Sequence, residues 1–314
     1  MGARRPLMRP GPAELQLPDT LTRRRPSLAF IRHQGPMIRA WSRVFARSLL
    51  PFMRHEANPQ RFRAQSTLVP MLDDVLVSAY VEWSGGGERY SDSIPPHMFC
   101  QWGMPLALSV VEQSRYDITG IINQGLMMRI HGELPRGVDL LAHAELIAME
   151  ERSGRANLSV RVTTGTSSRP NLVETVLHTM FILAPAGSRQ AMTRGFRAAP
   201  GVSWEPAGSW QACPDDGLNF ALLTGDFNPI HWVESAGKKS PFGSTVLQGM
   251  GAFARSFECL RDARPIRDIE VQFQRPVLLP SGELEVEYTP ADAGWQLLRL
   301  VDGDRRARLS GRFR

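Results

Sequence analysis

Two residues that could exchange protons with a small reactant stand five positions apart in the second half of the chain. Asp226 supplies a carboxylate and His231 an imidazole, and general acid–base catalysis needs such groups within hydrogen-bond reach of one reactant. Pro229 fixes its own backbone φ and pushes Asn228 away from helical geometry, so the connection is predicted to be an extended turn. Gly225 allows a sharp bend directly before the carboxylate. The spacing therefore predicts a proton-transfer pair on a stiff loop, braced by Asn228.

A helix that could bind negative charge is predicted shortly after this loop. Gln248, Gly249 and Met250 open an apolar run that reaches Leu260 at helical spacing. The first amides of a helix have no intrahelical acceptor, and the helix dipole adds positive potential at that end. We expect the backbone N–H of Gly249 to bind a developing oxyanion, which together with an acid–base pair is the minimum needed to pass through an enolate.

Each candidate residue also has an ordinary structural interpretation. Asp226 taken alone is typical of an Asx-type turn that bonds its own backbone, and His231 alone of a histidine packed at a domain face. His97, which follows two prolines in the first half, is expected to have a structural role ahead of lining a groove. Neither Ser256 nor Cys259 has a base beside it in sequence, which disfavours a nucleophilic mechanism.

The motif positions resemble those of a known family, the MaoC-like dehydratases, which are R-specific enoyl-CoA hydratases. The positions that carry the resemblance are Gly225-Asp226-x-Asn228-Pro229-Ile230-His231, Ala236, Pro241-Phe242-Gly243, Gly249-Met250, Phe273-Gln274-Arg275-Pro276-Val277 and Gly282. One position departs from the family pattern, because Gln248 stands where a histidine usually precedes the Gly-Met pair. Glutamine keeps hydrogen-bonding capacity but cannot titrate, so we expect activity to be retained with an altered substrate preference.

The resemblance implies a fold as well as an activity. Many MaoC-like enzymes are double hot-dog proteins, and we predict an α+β double hot-dog fold, in which each half wraps an antiparallel sheet around a central helix. The first half is similar to that of the two-domain members from Ile94 to Pro105 and around Gly125. Because it lacks the Asp-x-Asn-Pro-x-His loop, it is expected to shape the acyl groove rather than to do chemistry.

The activity that the resemblance implies is reversible hydration of trans-2-enoyl thioesters to (3R)-3-hydroxyacyl thioesters, in fatty-acid or related acyl metabolism. No cofactor and no metal are expected, and the substrate is carried by CoA or by an acyl carrier protein. The residues assigned to catalysis are Asp226, His231 and Gly249. The residues assigned to substrate binding are Asn228, Gln248, Phe242, Lys238 and Lys239.

Three alternatives stay open at this stage. Lys238 and Lys239, on a predicted loop, could bind CoA phosphates or the acidic surface of an acyl carrier protein, or form an ordinary solvated surface. The enzyme could instead be a hot-dog thioesterase that acts on acyl-CoA. The chain could also be an inactive acyl-binding or scaffolding protein, an interpretation that Gln248 favours.

The composition of the 314 residues is that of an ordinary soluble protein, with 42% hydrophobic and 22% charged residues. No apolar run approaches the ~20 residues of a membrane-spanning helix. Cys100, Cys213 and Cys259 lack metal-ligand spacing, which favours a reduced, cytoplasmic setting. The net charge of +6 is concentrated in residues 1–63, which contain 13 arginines and three acids. The chain shows no nucleic-acid-binding motif, so no nucleic-acid partner is expected.

We predict three segments, with a basic extension at 1–63, a degenerate hot-dog domain at 64–190 and a catalytic hot-dog domain at 191–314. The similar order of helix and strands in the two halves indicates an internal duplication. Such a pseudodimer already satisfies hot-dog pairing, and a homodimer of the whole chain stays open. Residues 1–36 are predicted to lack regular structure, or to precede a true start at Met37.

Residues 37–52 have the pattern of an amphipathic helix, with Met37, Trp41, Val44, Phe45, Leu49 and Phe52 on one face. Packing of this helix on its own protein is the first interpretation. Peripheral contact with an anionic membrane and a cleaved targeting peptide are the alternatives.

The remaining predictions concern secondary structure. Residues 75–83 alternate loosely as in a strand, and Asp215-Asp216 is predicted to be a solvated turn or a helix cap. The predicted helices are 104–112 and 247–260. The predicted strands of the two halves are 121–131, 138–149, 156–164, 174–183, 268–273, 284–288, 295–301 and 306–313.

Overall fold

The computed structural model describes residues 26–49, 62–183, 196, 201–290 and 294–314. The elements of the first part are α1 (Gly35–Leu49), β1 (Gln65–Val69), α2 (Asp74–Ser84), β2 (Ser93–Ile94), α3 (Cys100–Val111), β3 (Ile122–Ile130), β4 (Leu134–Pro135), β5 (Leu140–Arg152), β6 (Arg155–Gly165) and β7 (Val173–Ile182). Those of the second part are β8 (Glu205–Gln211), α4 (Asp216–Thr224), α5 (Glu234–Lys239), β9 (Val246–Leu247), α6 (Gly249–Ala263), β10 (Asp268–Phe273), β11 (Val277–Leu278), β12 (Glu283–Tyr288), β13 (Gln296–Val301) and β14 (Ala307–Phe313).

The strand order shows an internal duplication within the described residues. One ten-stranded sheet runs β1-β5-β6-β7-β3-β10-β14-β13-β12-β8, so each half contributes five strands in the same sequence from its outer edge to the centre. Each half also has a short strand pair, β2 with β4 and β9 with β11. The central helices α3 and α6 follow β2 and β9. This arrangement is the predicted double hot-dog fold.

The two halves meet where β3 pairs with β10 in antiparallel register, from Asp268 opposite Arg129 to Gln272 opposite Gly125. A salt bridge between Arg129 Nε and Asp268 Oδ1, 2.7 Å long, crosses the junction. Gly125 has φ 151° at a bulge, and a Cβ atom there would lie 2.0 Å from the Val271 carbonyl oxygen. The halves therefore share a continuous sheet that needs glycine at this crossing.

Both central helices are buried, which explains why their sequences are apolar on most sides. In α6 the side chains of Phe253, Phe257 and Leu260 are at most 1% exposed, and each contributes roughly 1.5–3 kcal/mol by leaving water. The sequence predicted α6 within a few residues of its ends. It predicted only the second part of α3, because a proline at position 105 lies inside that helix.

The prediction of a strand at residues 75–83 is wrong, because these residues form α2. The Asp73 side chain accepts a hydrogen bond from Val75 N at the helix start, and Gly85 ends the helix in the left-handed conformation. The buried positions of the helix follow the helical period rather than alternation, and they are Leu76, Val77, Tyr80, Val81, Trp83 and Ser84. Burial on more than one side weakened the sequence signal that separates helix from strand.

The basic extension packs on its own protein where it is described. Met37, Ala40 and Val44 of α1 are buried, and α1 contacts α3. Residues Leu28–Gln34 form a 3-10 helix, which differs from the predicted lack of regular structure. The side chains of Phe45 and Leu49, and all of residue 52, lie outside the described part.

No helix in the described ranges is long and apolar enough to cross a membrane. Residues 1–25, 50–61 and 184–195 lie outside the description. The three predicted segment boundaries therefore stay a prediction.

Candidate active site

The loop that carries Asp226 begins where α4 ends. Gly225 takes the left-handed conformation with φ 86°, and its N–H donates to the Ala221 carbonyl oxygen over 2.7 Å. Asn228 is extended, with ψ 121°, and its Oδ1 accepts a hydrogen bond from Ile230 N. The predicted non-helical backbone is therefore found at Asn228, but the prediction is wrong for the rest of the link. Residues Pro229–His231 add one 3-10 turn, which proline suits because its φ is already helical.

The orientation of His231 is set by a backbone carbonyl. Its Nδ1 lies 2.7 Å from the carbonyl oxygen of Val246, which can only accept a hydrogen bond, so Nδ1 carries the hydrogen. The remaining nitrogen, Nε2, is then the one that can take or release a proton. A Cβ atom on Gly217 would lie 1.8 Å from the His231 carbonyl oxygen. The start of α4 therefore packs directly on the loop.

Gln248 fastens the same loop from the other side. This residue is 1% exposed, and its Nε2 donates to the carbonyl oxygens of Gly217 and Asp226 at 2.9 and 3.2 Å. Its Oε1 is buried and has no hydrogen-bond partner among the described residues. Gln248 was assigned to substrate binding, but the geometry of its amide favours orientation of the loop over contact with the substrate.

The tip of α6 follows immediately. The first hydrogen bonds of the helix run from Gly251 N and Ala252 N to the Gln248 carbonyl oxygen, so the Gly249 amide precedes the hydrogen-bonded turn. A Cβ atom on Gly249 would lie 2.9 Å from the ring of Phe273. Glycine is therefore required here by the aromatic ring that packs against the helix tip, and the amide remains half-buried.

The candidate site lies between the two halves. Asp226 and His231 are both half-buried, and one Asp226 oxygen accepts a hydrogen bond from Asn228 N at 3.5 Å. Burial, and then the negative charge of Asp226, raise the pKa of the Cys100 thiol well above its usual range. The helix α3, which Cys100 begins, contacts α4, and α4 ends two residues before Asp226.

The surface residues assigned to carrier binding lie on a different element from the one predicted. Lys238 and Lys239 belong to the helix α5 rather than to a loop, so that prediction is wrong. Lys238 Nζ lies 2.6 Å from Glu234 Oε1 in an exposed pair one helical turn apart. Phe242 is 43% exposed. The assignment of these side chains to a substrate carrier stays a prediction.

The first half lacks counterparts of the candidate catalytic residues. Gly85 ends α2 with φ 89° as Gly225 ends α4, and the next residue is Gly86 where the second half has Asp226. A Cβ atom on Gly86 would lie 2.8 Å from the Tyr90 ring, so no side chain fits. In the first half, a 3-10 helix, Pro96–Phe99, leads into α3 where the second half has the tip of α6. Its first residue, Pro96, has no N–H to donate. The first half therefore offers neither the acid nor the oxyanion donor.

A buried ion pair between Asp216 and Arg255 lies at the start of α4, and it was not predicted from the sequence. Asp216 was predicted to be solvated or a helix cap, but it is 1% exposed. Its carboxylate binds both terminal nitrogens of Arg255 at 2.7 and 2.8 Å, and it accepts hydrogen bonds from Trp83 Nε1 and Cys213 N. The guanidinium lies over the Trp83 ring, 4.2 Å from its centroid. The solvated-turn prediction is wrong for Asp216, because Arg255 and Trp83 from distant parts of the chain bury it. The helix-cap alternative holds for Asp215, which is the N-cap residue of α4.

His97 takes part in a second buried cluster, which agrees with the structural role expected for it. Its Nε2 lies 2.6 Å from Glu258 Oε1, and its Nδ1 lies 2.9 Å from the Tyr80 hydroxyl. Tyr90 donates to the same Glu258 oxygen at 2.6 Å, and Arg89 lies 3.0 Å from the other. The cluster joins the first half to α6, which carries Glu258.

One cavity lies apart from this site. A cavity of about 290 Å³ is found at the C-terminal end of α3, whereas Cys100 begins that helix. Within the described ranges, no group of three His, Cys, Asp or Glu side chains is placed to hold a metal ion. The residues that line the cavity are Phe62, Gln113, Ser114, Arg115, Tyr116, Met149 and Glu151.

Comparison with known proteins supports the fold. Residues 191–289 match the family described as MaoC like domain. HtdX of Mycobacterium tuberculosis is similar over 80% of this chain and 99% of its own, with a TM-score of 0.63 at 20% identity. Full-length peroxisomal multifunctional enzyme type 2 of Drosophila melanogaster is similar over 80% of this chain and 48% of its own, with a TM-score of 0.62 at 17% identity.

A further Mycobacterium tuberculosis protein, described as having a double hot-dog fold, is similar over 81% of this chain and 95% of its own. Its TM-score is 0.52 at 14% identity. Identities this low show a shared fold and no more. No curated protein sequence matches the chain.

Proposed function

Because the chain carries a MaoC-like domain in a double hot-dog fold, we propose that it catalyses the reversible hydration of trans-2-enoyl thioesters to (3R)-3-hydroxyacyl thioesters. One observation carries this proposal. The segment from Val246 to Gly249 holds the His231 ring through a carbonyl oxygen, holds the Asp226 backbone through Gln248, and then forms the helix tip. The proposed acid–base residues Asp226 and His231, and the Gly249 amide that would donate a hydrogen bond to the oxyanion, are thus held by four consecutive residues.

In this mechanism His231 and Asp226 position one water molecule and move two protons. Water adds its oxygen to C3 of the enoyl group and loses a proton, while C2 gains a proton. Nε2 of His231 can act in either direction, since Nδ1 is committed to Val246.

The Gly249 amide has a separate task. Addition to C3 develops negative charge on the thioester oxygen, and a preorganised N–H at a helix start stabilises such charge. Phe273 packs against the same tip and keeps water from one side of it. This donor needs no particular side chain at position 248. The replacement of histidine by Gln248 is therefore compatible with catalysis.

The role of the first half follows from what it lacks and what it borders. Gly86 and Pro96 remove the acid and the donor from its own pseudo-site, while its central helix α3 contacts α4, the helix that leads into the Asp226 loop. We assign to this half the walls of the acyl groove. We assign binding of the carrier, CoA or an acyl carrier protein, to Lys238 and Lys239. Both lysines are exposed and can attract phosphate or acidic groups.

Hydration of enoyl-CoA substrates of graded chain length tests the proposal. Crotonyl-CoA and longer homologues should lose their enoyl absorbance without release of free thiol, and the product should be the 3R alcohol. Release of thiol without prior hydration would instead support a thioesterase. No change with any chain length, on CoA or on an acyl carrier protein, would support an inactive acyl-binding protein.

A further inference from the structure

The N-terminal extension reaches the loop that carries Asp226. The 3-10 helix Leu28–Gln34 contacts α4. Its start is capped by Ser27, whose hydroxyl accepts a hydrogen bond from Ala29 N. Its last residue, Gln34, is 1% exposed. A residue that precedes the first hot-dog half is thus buried against the catalytic half.

Gln34 caps the C-terminal end of α4. Its Nε2 donates to the carbonyl oxygen of Leu222 over 2.8 Å. The last four carbonyl groups of a helix have no intrahelical donor and need another partner. The Ala221 carbonyl receives the Gly225 amide, and the Leu222 carbonyl receives Gln34. The glutamine therefore supplies one of the hydrogen-bond donors that the end of α4, just before Asp226, requires.

The extension also explains why the residue before Asp226 must be glycine. A Cβ atom on Gly225 would lie 2.7 Å from the Cβ of Met37 and 3.1 Å from Oε1 of Gln34. Met37 is 3% exposed and begins the buried face of α1. The backbone of α4 and the extension are thus in contact at the residue that sets the direction of the loop.

The extension is anchored to the first half rather than to α4 alone. Gln101 Nε2 donates to the His33 carbonyl oxygen at 3.4 Å, and Arg43 lies 3.3 Å from Glu112. Ala40 and Val44 are buried. Because these contacts hold the extension in place, it can restrain the end of α4 against the first half.

From these contacts we propose that Gln34 is a positioning residue for Asp226. It holds the last turn of α4 from one side while Gln248 holds the same loop from the other, through the Asp226 carbonyl oxygen. The two glutamines share one geometry, with a donated amide and an Oε1 that is buried and without a partner among the described residues. Each therefore acts through backbone carbonyl oxygens, Gln34 through that of Leu222 and Gln248 through those of Gly217 and Asp226. The effect of Gln34 on turnover rests on the proposed function. The clamp, by which we mean the restraint of the end of α4 by the hydrogen bond from Gln34 to the Leu222 carbonyl oxygen, does not.

The test is Gln34→Met in the full chain, with Ile38→Ala as the control. Methionine keeps the length and burial of the side chain and removes the donor, together with the unpaired oxygen. Ile38 is on the neighbouring turn and is 40% exposed, so its truncation should change nothing. Amide hydrogen exchange of residues 220–228 should speed up about tenfold or more in Gln34→Met, while exchange in β13 and β14 stays as in the wild type.

With crotonyl-CoA, kcat of Gln34→Met should fall on the order of ten- to a hundredfold, the scale of a small misplacement of a catalytic group. KM should stay within about twofold. A merely structural role would instead lower the melting temperature and leave kcat unchanged. If residues 220–228 of Gln34→Met exchanged their amide hydrogens at the wild-type rate, the claim that Gln34 restrains the end of α4 would be overturned. Faster exchange with wild-type kcat would overturn the positioning of Asp226.

Inactivity of the wild-type protein on every enoyl thioester would remove the proposed function and, with it, the effect on turnover. The clamp would then be judged by exchange alone, so the two failures are distinguishable.

Discussion

The imidazole of His231 is tied to the carbonyl oxygen of Val246, 2.7 Å from its Nδ1. Val246 lies in the short strand that leads into the tip of α6. The His231 ring and the proposed oxyanion-binding amide of Gly249 are therefore held by one stretch of backbone, in which Val246 and Gly249 are only three residues apart. This coupling explains how a site built from separate loops can stay ordered in a half-buried position, since a shift of the helix tip also shifts the ring.

Replacement of His231 by asparagine should abolish most of the activity without unfolding the protein. Asparagine keeps an N–H that can donate to Val246 but has no group in place of Nε2. We expect kcat to fall about 10²–10⁴-fold, the usual share of one acid–base group, with a melting temperature near that of the wild type. Asp226→Asn should behave alike. Activity of both variants within a few-fold of wild type on enoyl-CoA would contradict the assignment.

Two substitutions at Gly249 separate its N–H from its missing side chain. Proline is tolerated at the first position of a helix and removes the N–H, whereas alanine keeps it. Both introduce a Cβ atom close to the Phe273 ring, 2.9 Å away before any adjustment, so alanine is the matched control. Gly249→Pro should be slower than Gly249→Ala by about 10²–10³-fold in kcat, the loss typical of one oxyanion donor. Equal rates would show that this amide takes no part in the reaction.

Much of this arrangement was predictable from local sequence. The Asp-x-Asn-Pro-x-His spacing and the glycine at position 225 predict the non-helical backbone at Asn228 and the bend before Asp226, because both follow from residue types within the motif. The strands that alternate and the helix with one apolar run were found within a few residues of their ends. Each of these signals is local and does not depend on a distant partner.

What local sequence could not show is the set of contacts between distant residues. Gln34 and Leu222 are 188 positions apart, and Trp83 and Asp216 are 133 apart. Nothing near Asp216 in the sequence indicates that Arg255 will neutralise it. The helix α2 was mistaken for a strand for a related reason, since burial by both halves placed apolar residues on most of its sides.

Removal of one partner of the buried ion pair should be costly. In Asp216→Ala the guanidinium of Arg255, which is 2% exposed, is left without its bidentate partner. Breaking such a pair typically costs about 3–5 kcal/mol in the free energy of unfolding. Glu285→Ala is the control, because its ion pair with Arg305 is about half exposed on both sides and is worth less than ~1 kcal/mol. Urea denaturation of the three proteins checks the difference, and similar midpoints for the two variants would contradict it.

The glycine at position 86 should tolerate no side chain. A Cβ atom there would lie 2.8 Å from the ring of Tyr90, whose hydroxyl is fixed by Glu258 and Arg261, so the ring cannot move aside without losing these bonds. We expect Gly86→Ala to cost about 1–3 kcal/mol by overpacking. Gly282→Ala is the control, because nothing lies within 4 Å of its Cβ position. Thermal unfolding of both variants measures the effect, and equal melting temperatures would show that the first-half loop is not closed by Tyr90.

The cluster around Glu258 should make stability depend on pH in the acidic range. Burial opposes ionisation of this carboxyl, but the hydrogen bonds from His97 and Tyr90 and the charge of Arg89 outweigh it, and the pKa lies below its ordinary value of 4.5. A carboxyl with a depressed folded-state pKa stabilises the protein fully above the ordinary value. That contribution is lost as pH falls through the lower folded-state pKa.

At neutral pH, Glu258→Gln should therefore be less stable than the wild type by roughly 1.5–3 kcal/mol, the scale of a hydrogen bond to a charged group. The gap should narrow steadily below pH 4.5. Denaturant titrations at a series of pH values compare the two proteins, and a gap that stays constant into the acid range would mean that Glu258 is not ionised in the folded state.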